Sequence, residues 1–258
     1  MKLGDFTMLA QEYHNRPGYS ENVLNVIRNH ICAVLHKDTL TVTDVGAGTG
    51  KLTENLINIG LHGFAVEPND AMRTEGMRLF QGKSAFVWMK GAAERVPLSD
   101  QSTDWITMGS AFHWTDTELA LKEFHRILRP NGFFTAVWNP RDIESSPLHK
   151  RIEQKIYEMV PNLNRVSSGS RTHMKDMDSK LLSTPFFQNL FLIEAKHEII
   201  MTKERYLGAW RSVNDIHSQA GDELFGEILK MIANEIAAFE TITVPYITRA
   251  FTVQSVEV

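Results

Sequence analysis

The stretch Thr41-Val42-Thr43-Asp44-Val45-Gly46-Ala47-Gly48-Thr49-Gly50 decides how this chain folds. A β-rich run ends in an acid, three glycines alternate with other residues, and a helical pattern follows. Glycine suits a place where the backbone turns sharply and a ligand comes close. A turn between a strand and a helix aims the helix's free N–H groups at that ligand. A nucleotide-like ligand is the expectation.

The flanking chain repeats the alternation. Val23, Leu24, Ile27, Ile31, Val34 and Leu35 recur at helical spacing, and Leu40–Val45 reads as the first strand. Leu52, Leu56 and Ile59 mark the helix after the turn, with Gly60 as its stop. Phe64–Glu67, Ala85–Met89, Asp104–Gly109 and Phe133–Trp138 read as further strands. Thr115-Asp116-Thr117-Glu118 has the form of a capping box, so a helix is expected from Thr115. Strands alternating with helices imply a parallel sheet covered on both faces. Residues 141–185 are polar and partly helical in pattern, with a loop expected at Ser167-Ser168-Gly169-Ser170. Leu190–Met201 reads as a long strand. Leu224 to Phe239 reads as an amphipathic helix, and Thr241–Val256 as a last strand with Pro245 near its start.

Composition sets bounds. The 258 residues are 43% hydrophobic with a formal net charge of −4, which disfavours a protein built to grip nucleic acid or anionic lipid. Cys32 is the only cysteine and lies on an apolar helical face; no disulfide or cysteine-rich metal site is expected. Met1-Lys2-Leu3-Gly4-Asp5 lacks the apolar core of a signal peptide, and no apolar run approaches the ~20 residues of a membrane helix. A soluble cytoplasmic protein, monomeric or homodimeric, is expected.

Glu67 closes the second strand beside the glycine turn, where a carboxylate can accept hydrogen bonds from a ribose diol. At that point NAD and S-adenosylmethionine are equal candidates. The dinucleotide motif needs a third glycine where Lys51 stands. Asp44 suits the ammonium of an amino-acid tail and would repel a pyrophosphate. Gly91-Ala92-Ala93-Glu94-Arg95-Val96-Pro97 follows the third strand and offers small residues and backbone N–H groups to a flat base.

Taken in order, Asp-x-Gly-x-Gly-x-Gly, Glu67-Pro68, Gly-x-Ala-Glu-x-x-Pro and Asp104-Trp105-Ile106 resemble a class I S-adenosylmethionine-dependent methyltransferase. More narrowly, the chain resembles the small-molecule branch that includes the trans-aconitate methyltransferases. Tyr13-x-x-Arg16-Pro17-x-Tyr19, Ser110-Ala111-Phe112-His113-Trp114, Leu128-Arg129-Pro130-x-Gly132 and Val244-Pro245-Tyr246-x-Thr248-Arg249 are similar to that branch. The resemblance implies an α/β, Rossmann-like mixed sheet of seven strands whose last two form an antiparallel edge, helices on both faces, a small helical cap, and a single domain over 1–258. It implies S-adenosyl-L-methionine as cofactor and S-adenosyl-L-homocysteine as product, with no metal. It assigns Gly46, Ala47 and Gly48 to the methionine end, joined by Asp44; Glu67 and Pro68 to the ribose; Ala92, Ala93 and Glu94 to the adenine; and Ser110 to the cofactor wall. Tyr13 and Arg16 would close over the methionine portion. Ala92 departs from the Asp of many relatives and cannot accept from the adenine amino group.

Methyl transfer is an in-line displacement, so the acceptor should meet the methyl near Ser110–Trp114. His113 is the candidate general base, with a wall-lining role as the open alternative. Trp114, Trp138, Trp210 and Asn139 are candidate acceptor contacts, and Arg211 could bind an acidic substrate bidentately. Core packing, turn formation and a solvated helix are their respective alternatives. A small-molecule acceptor is expected. A non-catalytic cofactor-binding protein and a macromolecule methyltransferase remain the other options.

Overall fold

In the computed structural model the described residues are 7–165, 174 and 176–257. The chain runs α1 (Ala10–Tyr13), α2 (Glu21–Leu35), β1 (Thr41–Val45), α3 (Lys51–Asn58), β2 (His62–Val66), α4 (Asp70–Leu79), β3 (Phe86–Met89) and β4 (Thr103–Gly109). It continues through α5 (Thr117–Ile127), β5 (Leu128–Trp138), α6 (Pro147–Met159), α7 (Met177–Leu181), β6 (Phe187–Thr202), α8 (Lys203–Arg211), α9 (Asn214–Glu235) and β7 (Thr241–Ser255). The expected loop at 167–170 lies outside the described residues.

The seven strands form one sheet in the order β3-β2-β1-β4-β5-β7-β6. The first five are parallel, while β7 runs antiparallel to both β5 and β6. This is the Rossmann-like mixed sheet the resemblance implied. Strand order reverses between β1 and β4, which puts a crevice at their carboxyl ends.

Two apolar layers hold the sheet. Val23, Leu24, Ile27 and Ile31 of α2 pack with Leu52 and Leu56 of α3 onto Val42, Ala65 and Trp105. Each such side chain, fully buried, contributes roughly 1.5–3 kcal/mol. On the other face Leu121, Phe124 and Ile127 of α5 meet Val45, Ile106 and Phe134. A third cluster joins α6, α8 and α9 through Ile152, Ile156, Tyr206, Trp210 and Ile228 into a helical cap, with Val244 and Tyr246 of β7 against it.

Some boundaries differ from the sequence reading. Helix α5 is capped by Asp116, whose side chain accepts from the Leu119 N–H, while Thr115 Oγ1 donates to Phe112 O. Asp and Thr both cap well, and here the acid one position later reaches the N3 amide. The amphipathic helix read from Leu224 ends at Glu235, before Phe239, and α9 extends N-terminally to Asn214 across a kink at Gly221 (φ +76°). Strand β5 is assigned from Leu128, five residues early, because Leu128 pairs with Thr103 before the Asn131 turn shifts the register to Trp105–Phe133. Pro245 stands in a strand paired on both sides, yet β5 reaches β7 only from Arg249 onward. Its missing N–H therefore falls beyond that ladder.

Candidate cofactor and acceptor site

The glycine turn is held by strand β2. The N–H groups of Gly46 and Ala47 both donate to Val66 O, at 2.8 and 3.1 Å. Gly46, Gly48 and Gly50 have φ of +68°, +60° and +91°, a region that L side chains rarely adopt. Space is as restrictive as conformation. A Cβ on Gly50 would lie 2.4 Å from Phe80 Cε2, and one on Gly46 would lie 2.9 Å from Ala111 Cβ. The cradle therefore fits a ligand that lies flat on bare backbone.

Glu67, immediately after β2, is buried beside this turn. Its Oε2 accepts from Gly48 N and its Oε1 from Asn69 N, each at 2.8 Å. Burial raises its pKa, and the Asn69 and Gly48 N–H bonds oppose the rise. An ionised carboxylate has about four lone-pair directions. Two are used here, so the oxygens retain capacity for a diol.

The cavity at the carboxyl edge has a volume of about 260 Å³. That is slightly under the ~300–1,000 Å³ of most small-molecule sites. Gly46, Gly48, Glu67 and Pro68 form one wall, and Ala92, Ala93 and Glu94 another. Tyr13 of α1 closes one side, and Ser110, Ala111, Trp114 and Thr115 the far end. Glu94 is anchored because its Oε1 accepts from Asp116 N at 2.9 Å. Ser110 takes the left-handed conformation (φ +53°), with its N–H on Val137 O and its hydroxyl accepting from Tyr19 at 3.1 Å. A non-glycine residue forced left-handed costs on the order of 1 kcal/mol or more, and such residues cluster at functional sites. Tyr19 itself is pressed against Gly109, where an added Cβ would come within 2.6 Å of the phenol oxygen.

Most of the expected cofactor residues meet in this cavity; several expected residues do not. Asp44 is fully buried beneath the turn, not in the wall. Its oxygens accept from Thr53 at 2.6 Å and Thr107 at 3.4 Å. Burial lifts its pKa from 3.8 to about 7, against those hydrogen bonds. Ala47 contributes backbone to the turn while its side chain joins the core. Arg16 stacks over Tyr13 at 4.5 Å and donates to the Ser212 hydroxyl and carbonyl at 2.8 and 2.7 Å, tying the N-terminal arm to the end of α8. It supports Tyr13 and lines no part of the cavity.

The acceptor candidates separate further. His113 is not among the lining residues, and its Nδ1 accepts from the Trp138 indole at 3.4 Å. Trp114 lines the cavity, is 47% exposed, and has its ring 4.7 Å from that of His113. Trp138 is wholly buried in the sheet core. Asn139 donates to Gly18 O at 2.9 Å and accepts from His197 and Thr248, a knot that pins the arm to β6 and β7. Trp210 is buried in the cap. Arg211 is half exposed, 3.9 Å from Glu12. Periodicity located these residues along the chain but carried no information about which way each side chain faces. Conversely, Met72, Met108 and Asn69 line the cavity without having been singled out. Asn69 carried a signal: it follows Glu67-Pro68 and caps α4 through Ala71 and Met72 N–H groups.

A strand-turn-helix cradle, a strand-end carboxylate and a small-residue loop stand together at one edge of this sheet, the arrangement that the resemblance to class I S-adenosylmethionine-dependent methyltransferases implied. Residues 43–136 match the methyltransferase domain family. Over 101 residues the chain is 43% identical to an uncharacterized methyltransferase of Mycobacterium tuberculosis, a match spanning 39% of this chain and only 40% of that protein. Over 235 residues it is 27% identical to an uncharacterized methyltransferase of Schizosaccharomyces pombe, covering 88% of this chain and 86% of the relative. A solved structure described as a candidate type II methyltransferase of Anaeromyxobacter dehalogenans shares the fold, with a TM-score of 0.61 at 18% identity over 94% of this chain and 97% of that one. No helix among the described residues is long and apolar enough to cross a membrane.

Proposed function

We propose that the chain, acting as one domain over 1–258 in the cytoplasm, transfers a methyl group from S-adenosylmethionine to an oxygen or nitrogen of a small-molecule acceptor. The supporting observation is the cavity itself. Its bare-backbone cradle and Glu67 lie at one end and a wall of Ser110, Ala111 and Trp114 at the other. The net charge of −4 favours a metabolite over a nucleic acid as acceptor.

S-adenosylmethionine, when bound, supplies an electrophilic methyl on a sulfonium sulfur. The chain's residues have the remaining tasks. Gly46 and Gly48 let the backbone approach the amino-acid tail, Glu67 holds the ribose, and Ala92–Glu94 leave room for the adenine. Asp44, beneath the turn, adds negative potential near the ammonium once it ionises. Tyr13, braced by Arg16, covers the methionine portion and keeps water out. Aligning the acceptor behind the methyl supplies most of the rate, since fixed near-attack geometry removes several kcal/mol of entropic barrier.

His113 is withdrawn onto Trp138, so the reading favours an acceptor atom that needs no base. A carboxylate, or a hydroxyl that loses its proton to water, meets that condition. The test is incubation with labelled S-adenosylmethionine and a panel of carboxylic acids, phenols and amines. Transfer to at least one member of the panel is expected, with acids leading. Tight cofactor binding with no transfer to any of them would count against catalysis.

A further inference from the structure

Where β5 gives way to the cap lies a cluster that does not line the cofactor cavity. Arg141 stacks its guanidinium on the Trp210 ring, 4.0 Å from the centroid. Its backbone bridges to Tyr246, whose phenol sits beside the guanidinium. No carboxylate approaches Arg141 within salt-bridge distance among the described residues. The nearest acid that acts on it, Glu153, spends both oxygens on Arg165 at 3.0 and 2.7 Å.

Three neighbours carry buried polar atoms with no hydrogen-bond partner: His149 Nε2, Tyr206 Oη and Trp210 Nε1. These residues are 1%, 0% and 1% exposed. The Trp210 indole N–H leans toward the Tyr206 hydroxyl without reaching normal hydrogen-bond geometry. The rings adjoin, with His149 to Tyr206 at 5.8 Å and Tyr206 to Trp210 at 6.3 Å. A buried polar group without a partner carries its full desolvation cost, so a cluster of three calls for an explanation.

Their chemistry is one-sided. Arginine and the indole only donate, and a phenol can donate. Ser146 Oγ accepts from the His149 backbone N–H and lies 2.7 Å from Nδ1. With the serine proton assigned to Nδ1, the ring hydrogen is on Nε2, as a donor. Burial and the nearby Arg141 push the imidazole pKa down to about 4, so it is neutral. One uncompensated cation and three neutral donors suit a single-charged, planar anion better than a doubly charged phosphate.

The location is relevant to transfer. Arg141 follows β5, whose Val137 carbonyl holds the Ser110 N–H of the cavity wall. Helix α8, which carries Tyr206 and Trp210, is bound to the arm that presents Tyr13 through Arg16 and Ser212. We propose that Arg141, with Tyr206, Trp210 and His149, forms a subsite that binds a carboxylate of the acceptor remote from the atom being methylated. This role, expected of Arg211 from the sequence, falls to Arg141, and the inference rests on the methyltransferase reading above. Anchoring one carboxylate fixes the acceptor's register against the methyl and selects acidic metabolites over neutral ones.

The experiment is thermal unfolding of the full chain with S-adenosylhomocysteine, adding glutarate, tricarballylate, the neutral glutaramide or inorganic phosphate. At about 10 mM the carboxylates should raise the midpoint by about 2 °C or more, while glutaramide should not. Arg141→Met should abolish that increment and keep the rise caused by S-adenosylhomocysteine. Tyr206→Phe, which changes one hydroxyl, should weaken carboxylate binding at least about threefold, and it carries the test if the Arg141 variant does not fold. Equal shifts from glutaramide, a shift from phosphate alone, no shift from either carboxylate, or an undiminished shift in Arg141→Met would each overturn the proposal. A chain that ignores S-adenosylhomocysteine but still responds to carboxylates would sink the methyltransferase reading and leave the subsite standing.

Discussion

Replacing Asp44 by Asn should remove most of the pH dependence that this residue gives to stability. Asp44 is fully buried, and burial raises its pKa from an ordinary 3.8 to about 7, with the Thr53 and Thr107 hydroxyls opposing the rise. The sign follows from proton counting. Below about pH 4 both folded and unfolded chains hold the proton. As pH rises the unfolded carboxyl ionises first, while the folded one keeps its proton until about pH 7. Stability therefore falls across that window and then levels off. The whole window amounts to about 4 kcal/mol, to order of magnitude, and the part between pH 5 and 7 to about 2–3 kcal/mol. Asn has nearly the same shape, and its amide oxygen can still accept from Thr53, which donates to Asp44 Oδ2 at 2.6 Å. It carries no titrating proton. Urea unfolding of both proteins at pH 5, 6, 7 and 8 isolates the effect, because other titrating groups cancel in the difference. The variant should gain about 2–3 kcal/mol on the parent between pH 5 and 8. A difference that stays within about 1 kcal/mol over that range would refute the argument that burial governs this carboxyl.

Two further substitutions address the cradle. Glu67→Ala removes the acceptor of the Gly48 and Asn69 N–H groups, and S-adenosylhomocysteine affinity measured by calorimetry should drop about 10- to 100-fold, as expected for losing hydrogen bonds to a charged group. Gly50→Ala forces a Cβ onto Phe80 at 2.4 Å and a side chain onto φ +91°, so denaturant unfolding should show a loss of about 2–3 kcal/mol. A Gly60→Ala control has the positive φ of +82° but open space around its Cβ, and its loss should be about 1 kcal/mol.

Much of the architecture was legible because period and punctuation are local. The alternation of apolar strands and amphipathic helices specified the parallel sheet, and Gly46–Gly50 followed by Glu67 marked its ligand edge. The cap at α5 slipped by one residue because Thr115 and Asp116 both offer suitable oxygens, and only their backbone angles decide between them. The N-terminal piece of α9, Asn214 to Ala220, was not read because the apolar spacing that marks the helix starts only at Leu224, beyond the kink at Gly221.

The amino-acid order by itself determined which residues stand at strand ends and turns, and so the class of ligand, since backbone conformation there depends on a few neighbours. Tertiary structure alone decided the direction of each long side chain. It turned His113 onto Trp138, sealed Asp44 under the turn, and set Arg141 over Trp210 with no carboxylate among the described residues within salt-bridge distance. Those outcomes depend on contacts between segments separated in the chain: Thr53 and Thr107 on Asp44, Trp138 on His113, and Trp210 of α8 under Arg141.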